Sequence, residues 1–145
     1  MNVAGILSTK GTEVATVAPE ALVTEVLATL RRAGVGALVV SPDGRTIAGL
    51  VSERDIVRYL AELGAGGLVH AVRELMTADV RTCTPADTAE GLMSLMTELR
   101  IRHVPVVDAD GRLAGMISIG DVVKSRVEEL EQDQAQLIEY VRAGQ

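Results

Sequence analysis

Two short stretches carry side chains suited to joint chemistry: Ser52 with Asp55, and Ser118 with Asp121. A serine followed three residues later by an acid, ahead of an apolar run, is a capping box. The hydroxyl accepts from the N–H of the third helical residue, and the carboxylate accepts from the N–H of the serine. The same pattern suits a ligand. A helix start offers free N–H groups and the positive end of a dipole to an anion, and a carboxylate has acceptor sites left over for sugar hydroxyls. Capping alone accounts for either box, while their repetition favours a binding role.

Other chemistries find little support. No G-x-x-x-x-G-K-[ST] is present, and Gly34-Val35-Gly36 is a fragment of a dinucleotide fingerprint that runs into a strand pattern, so it reads as a turn. His70, His103 and Cys83 lie too far apart in sequence to suggest a metal site. No activated nucleophile or carboxylate pair stands out, so no catalytic residue and no metal ligand is expected.

Bulk composition narrows the class further. The chain has 145 residues, 48% of them apolar, with no Trp or Phe and only Tyr59 and Tyr140 as aromatics. Val, Leu, Ile, Ala and Met must therefore fill the core, which suits strands packed under helices. A net charge of −6 with scattered basic residues argues against nucleic acid as the main partner. The single cysteine, Cys83, excludes an internal disulfide and points to a reducing, cytoplasmic setting. The first residues lack a secretory pattern, and no apolar run approaches the length of a membrane span, so no membrane partner is expected.

The elements that position these residues occur twice. Ala48 to Arg58 matches Ala114 to Lys124 at an offset of 66, and Val17-Ala18-Pro19 matches Cys83-Thr84-Pro85 at the same offset. Asp43-Gly44-Arg45 matches Asp110-Gly111-Arg112 after one inserted residue. Each copy opens on a short extended run, 13–17 or 79–83, that ends at a proline suited to the first position of a helix. Thr84 and Asp87 form a further capping box there, followed by the apolar stripe of Leu92, Met93, Leu95, Met96 and Leu99. Gly34 suits the left-handed stop of the corresponding first helix. Two apolar runs then form a hairpin, 37–40 with 46–51 and 104–107 with 113–117, and a helix begins at Ser52 or Ser118.

The expected order is β-α-β-β-α, twice, in an α/β (α+β) fold packed as one pseudo-two-fold module. Residues 5–63 form the first repeat and 75–128 the second. Residues 64–74 link them, with a flexible break at Gly64 to Gly67 and a short helix near 69–76. Residues 129–145 form a helical tail. Val123, Val127, Leu130, Gln134, Leu137 and Val141 step along it at heptad-like spacing. Such a helix lies on its own domain or pairs with a second chain, Gln134 then helping to fix the register.

These features resemble tandem cystathionine-β-synthase-type (CBS) domains, the paired regulatory modules that bind adenosine-containing ligands. The resemblance rests on Gly49 to Asp55 and Gly115 to Asp121, on the run Ile101 to Asp108, and on the lead-in segments Ile6-Leu7-Ser8 and Leu75-Met76-Thr77. It spans roughly residues 5–128.

The resemblance implies that Asp55 and Asp121 grip a ribose while Ser52 and Ser118 sit near the α-phosphate. A chain of net charge −6 must supply local cations for that phosphate. Arg102 and His103, at the mouth of the second hairpin where the family places basic residues, lead the candidates, with Arg54 and Lys10 behind them. Arg102 reads equally as a solvated surface charge and His103 as a strand-edge histidine. Pairing Arg102-His103 with Val35-Gly36, and Arg54 with Gly120, makes the two clefts unequal.

The adenine is expected between apolar walls drawn from Val14, Thr16, Val104 and Pro105, or from Val80, Thr82, Ala37 and Leu38. With so few aromatics, moderate affinity is expected. The implied function is a regulatory, energy-sensing module that binds AMP, ADP or ATP, or else S-adenosylmethionine or NAD, and needs no resident cofactor. It would signal to a partner protein through the geometry of a homodimer. The competing function is a ligand-free scaffold working through the C-terminal helix.

Overall fold

The computed structural model describes residues 1–144. Helix α1 (Val3–Lys10) leads into strand β1 (Thr16–Val17), helix α2 (Val23–Ala33), strands β2 (Ala37–Val40) and β3 (Gly49–Ser52), and helix α3 (Glu53–Leu63). The second copy supplies α4 (Ala89–Leu99), β4 (His103–Val107), β5 (Leu113–Ser118) and the long α5 (Ile119–Ala143). β2 lies between β1, which runs parallel to it, and the antiparallel β3. β4 and β5 form the second antiparallel hairpin, with Cys83 bridging in parallel to Val106 in the place of β1.

The ladders fix the correspondence between the copies. Ala37 faces Ser52 and His103 faces Ser118, so Ala37 corresponds to His103, and Arg102-His103 matches Gly36-Ala37, one residue on from the expected Val35-Gly36. The same hydrogen bond marks this register twice, Glu53 N–H to Gly36 O at 3.0 Å and Ile119 N–H to Arg102 O at 2.8 Å. The hairpins also need no inserted residue. Their Asp-Gly-Arg turns are displaced by one position, and the ladder register shifts between Val106 and Val107.

Both helices after the prolines start later than expected. Thr84 N–H does reach Asp87 Oδ2 at 2.8 Å, but as part of a turn, and the helix begins at Ala89, capped by Thr88 Oγ1 on Gly91 N–H at 3.0 Å. The carbonyls of the intervening turn are taken by the lead-in of the other copy. Pro85 O accepts from Ala4 N–H at 3.0 Å and Asp87 O from Val3 N–H at 2.8 Å; correspondingly, Pro19 O accepts from Arg73 N–H at 3.1 Å and Ala21 O from Val72 N–H at 2.7 Å. Gly34 closes α2 in the left-handed region as anticipated, with φ 67°.

The lead-ins are thus exchanged. Val3, Ile6 and Leu7 of α1 complete the core formed by Leu92, Met96, Val104, Ile117 and Val122 of the second copy. Val72 completes the core of Val23, Val26, Leu38, Val51 and Ile56 in the first. The segment 64–69 is a 3-10 turn packed on α3, not an open break. Gly67 is buried against Tyr59 and Leu60, where a Cβ would come within 3.1 Å of Leu60 Cδ2. A second 3-10 turn, Val72–Glu74, stands where a helix near 69–76 was expected. The backbone here must stay extended enough for His70 O to accept from Val23 N–H at 3.0 Å.

Candidate functional site

Each serine box forms a helix cap. Ser52 N–H donates to Asp55 Oδ2 at 2.9 Å and Asp55 N–H to Ser52 Oγ at 3.2 Å. Ser118 and Asp121 repeat both contacts at 2.9 and 3.2 Å, and Ser118 Oγ adds a third at 2.9 Å. β3 and β5 run straight into these caps, so each strand end delivers a helix N-terminus to the same side of its hairpin.

The two boxes then diverge. Lys10, the last residue of α1, places its ammonium 2.6 Å from Asp121 Oδ2 and 2.8 Å from Met116 O. The exchanged lead-in therefore brings a cation from the first copy onto the carboxylate of the second. Burial opposes the Asp121 charge, but the Lys10 ammonium and the Ser118 groups outweigh it and hold the carboxyl below its usual range.

Lys10 and Ser118 also line a cleft of about 260 Å³, together with Glu13, Val14, Ala37, His103 and Met116. It is a compact site beside the several-hundred-Å³ clefts typical of small-molecule binding. A larger, shallower groove of about 450 Å³ adjoins it past Gly34 to Gly36, along α2 and Glu53. That groove holds neither serine nor aspartate of the boxes.

His103 stands against Gly36, where a Cβ would lie 3.4 Å from its Cε1 and 3.7 Å from Glu53 Oε1. Burial first, and the Lys10 ammonium next, push the His103 pKa below the usual histidine value, against the pull of Asp121 and Glu53. The imidazolium is disfavoured in this position. At neutral pH the ring is uncharged and offers one donor and one acceptor.

Of the expected residues, Lys10, Val14, Ala37, His103 and Ser118 line one cleft, and Asp121 joins them through Lys10. The others lie elsewhere. Arg54 is exposed on the first turn of α3, and Arg102 is exposed at the edge of β4. Val104 and Pro105 are buried within β4 and are not among the residues lining this cleft. Thr16 and Val80 are half-buried, Thr82 is exposed, and Ser52 and Asp55 belong to the other cap.

Met116, Glu13 and Glu53 were not anticipated. Met116 contributes through its carbonyl, which no side-chain pattern announces, and the two glutamates look like ordinary surface acids in sequence. Among the described residues no three His, Cys, Asp or Glu side chains gather to hold a metal, and no helix is long and apolar enough to cross a membrane. The Cys83 thiol is buried in the second core, and its pKa is pushed up to about 12 by burial and by Asp87.

A duplicated β-α-β-β-α module with a capped helix at each of two related positions defines a paired-domain architecture. The chain belongs to the CBS-domain family, whose sequence profile matches residues 3–62 and again 72–128. A crystal structure of a CBS-domain-containing protein from Agrobacterium tumefaciens is similar, at 43% identity and a TM-score of 0.83, covering 86% of this chain and 92% of that one. The mitochondrial CBS domain-containing protein CBSX3 of Arabidopsis thaliana is 39% identical over 114 residues, 76% of this chain and 55% of that protein. The chain thus spans about half the length of that relative. A CBS domain protein from Pyrobaculum aerophilum, complexed with AMP, is 26% identical with a TM-score of 0.79, covering 92% of this chain and 99% of that one.

Proposed function

We propose that this chain is a regulatory module that binds an adenosine nucleotide, AMP, ADP or ATP, and signals through the geometry of a dimer to a partner protein. The observation that carries this is the convergence of Lys10, His103 and the Ser118–Asp121 cap on one cleft. The N-terminus of α5 and the Lys10 ammonium offer an anion a dipole end and a charge. Asp121 has acceptor capacity for ribose hydroxyls once Lys10 shifts to the phosphate. Val14 and Ala37 form the apolar slot for the base. Ser52 and Asp55 supply the second, weaker position, with Arg54 on the same helix turn, while Arg102 stands beside the Ser118 cap, its carbonyl accepting from Ile119 N–H. The AMP complex of the relative from Pyrobaculum aerophilum supports the ligand class. In this reading the module acts by binding and not by catalysis, in a cytoplasmic setting.

Thermal-shift screening and calorimetry test this with AMP, ADP, ATP, S-adenosylmethionine and NAD, since a ligand of the native state must stabilise it by mass action. A nucleotide is expected to raise the melting temperature, Asp121→Ala to weaken its binding by about tenfold, a loss of roughly 1.4 kcal/mol, and Asp55→Ala to weaken it less. No heat and no shift at millimolar nucleotide would sink the proposal.

A further inference from the structure

The helix α5 continues well past the domain it caps. Its inner face holds the buried Val122 and Ser125. Glu129, whose carboxylate accepts from the Met1 ammonium and from Arg126, is its last half-buried residue. Residues 130–143 are exposed without exception. A helix of that length with no tertiary contact is marginal in water, because nucleation is costly and each added residue contributes little.

The free half is not a solvated polar rod. Val123, Val127, Leu130, Gln134, Leu137 and Val141 follow heptad spacing, with Leu130, Leu137 and Val141 exposed by 55%, 63% and 55%. In that heptad Val127, Gln134 and Val141 take position a, and Val123, Leu130 and Leu137 take position d. β-Branched residues at a with leucine at d favour two parallel strands, and one polar residue at a fixes register. Val122, Ser125 and Glu129 fall at c and f, on the side of the helix away from this seam. The body therefore leaves the seam open to a second helix.

Charge decides the orientation. In a parallel pair, Arg126 at g faces Glu131 at e of the second copy, twice by symmetry, and Gln134 meets its own counterpart. Arg126 spends one Nη on Glu129 at 2.7 Å and keeps its other donors free. An antiparallel pair on the same seam sets Glu131 against Glu131 and Asp133 against Asp133 of the second copy, and Gln134 against Leu130.

We propose that the seam of α5 from Val123 to Val141 is the docking surface for the same helix of a second copy, forming a parallel two-stranded coiled coil. This supplies the dimer on which the proposed signalling depends, yet it is tested without nucleotide, so the two proposals fail separately. Sedimentation equilibrium of the full chain is expected to give twice the chain mass. Leu130→Glu combined with Leu137→Glu is expected to give the monomer mass with the melting of the body retained, whereas Gln132→Glu, opposite the seam, leaves the dimer intact. Leu137→Cys tests orientation, because under mild oxidation it forms a covalent dimer only if the two helices run parallel; the wild type, with Cys83 buried, forms none. A monomeric wild type, a dimer that survives both glutamates, or a dimer in which Leu137→Cys fails to cross-link would each overturn the proposal.

Discussion

At the scale of single residues, the site is organised by one side chain that belongs to the wrong copy. Lys10 arrives on α1 and neutralises Asp121 of the second repeat, while no described side-chain cation bonds to Asp55. This makes the two caps chemically different although their backbone geometry is the same. It also places His103 beside a cation, in a half-buried position that disfavours the imidazolium. The sign of the consequence is fixed. With its folded-state pKa lowered, His103 binds fewer protons in the native than in the unfolded chain just below the usual histidine pKa of about 6.5. The stability it contributes is complete above that pH and is lost as pH falls towards the lowered value. Asp121 acts in a separate, more acidic window, its contribution present above the ordinary aspartate pKa and lost below it. Urea unfolding at about pH 7.5 and about pH 5.5 is therefore expected to show a smaller loss on acidification for His103→Gln than for the wild type. Equal losses would remove His103 from the titration.

At the scale of elements, each lead-in lies across a strand of the opposite copy at a glycine. A Cβ on Gly49 would come within 2.5 Å of Met76 Sδ and 2.9 Å of Thr77 O, while one on Gly115 would come within 2.8 Å of Leu7 Cδ2 and 3.1 Å of Leu7 Cδ1. The first clash involves backbone that is itself hydrogen-bonded, Leu50 and Thr77 exchanging two bonds of 2.9 Å. The second involves only the end of a leucine, which can rotate. Overpacking costs about 1–3 kcal/mol where neighbours cannot yield. Gly49→Ala is thus expected to fall in that range and Gly115→Ala below it, read from denaturant midpoints; the reverse order would show that the leucine is the more rigid neighbour. These glycines were visible in sequence as the first residue of each Gly-apolar-apolar-Ser-x-x-Asp run, and so were the hairpins and both caps. Their role against the lead-ins was not, because glycine shows in sequence only as a missing side chain. The start of α4 was misplaced for a related reason: Thr84 and Asp87 have the local chemistry of a cap, but long-range bonds to Val3 and Ala4 take the carbonyls that a helix would use.

At the scale of the whole molecule, the duplication could be read from residue identities at one fixed offset, and it carried the fold and the two boxes with it. The exchange of lead-ins, and with it the placement of Lys10 on Asp121, could not, because it depends on which of two similar cores α1 enters. Either core presents a slot of Val, Leu and Ile. The structure settles it by placing Val3, Ile6 and Leu7 in the second core and Val72 in the first. Neither repeat then has a complete core of its own. A chain of this kind cannot lose one half and keep the other, since melting the first repeat releases α1 from the second. Calorimetry is therefore expected to show one unfolding transition for the body, with van't Hoff and calorimetric enthalpies in agreement. Ile6→Ala, which empties a buried site at a cost of about 2–5 kcal/mol, is expected to lower the melting temperature of that single transition, and Val72→Ala to lower the same one. The measurement is made on the Leu130→Glu, Leu137→Glu background, so that the concentration dependence of a dimer does not distort the enthalpies. Two resolved transitions, with Ile6→Ala shifting one and Val72→Ala the other, would mean that the repeats fold independently and that the exchanged segments only lie on their surfaces.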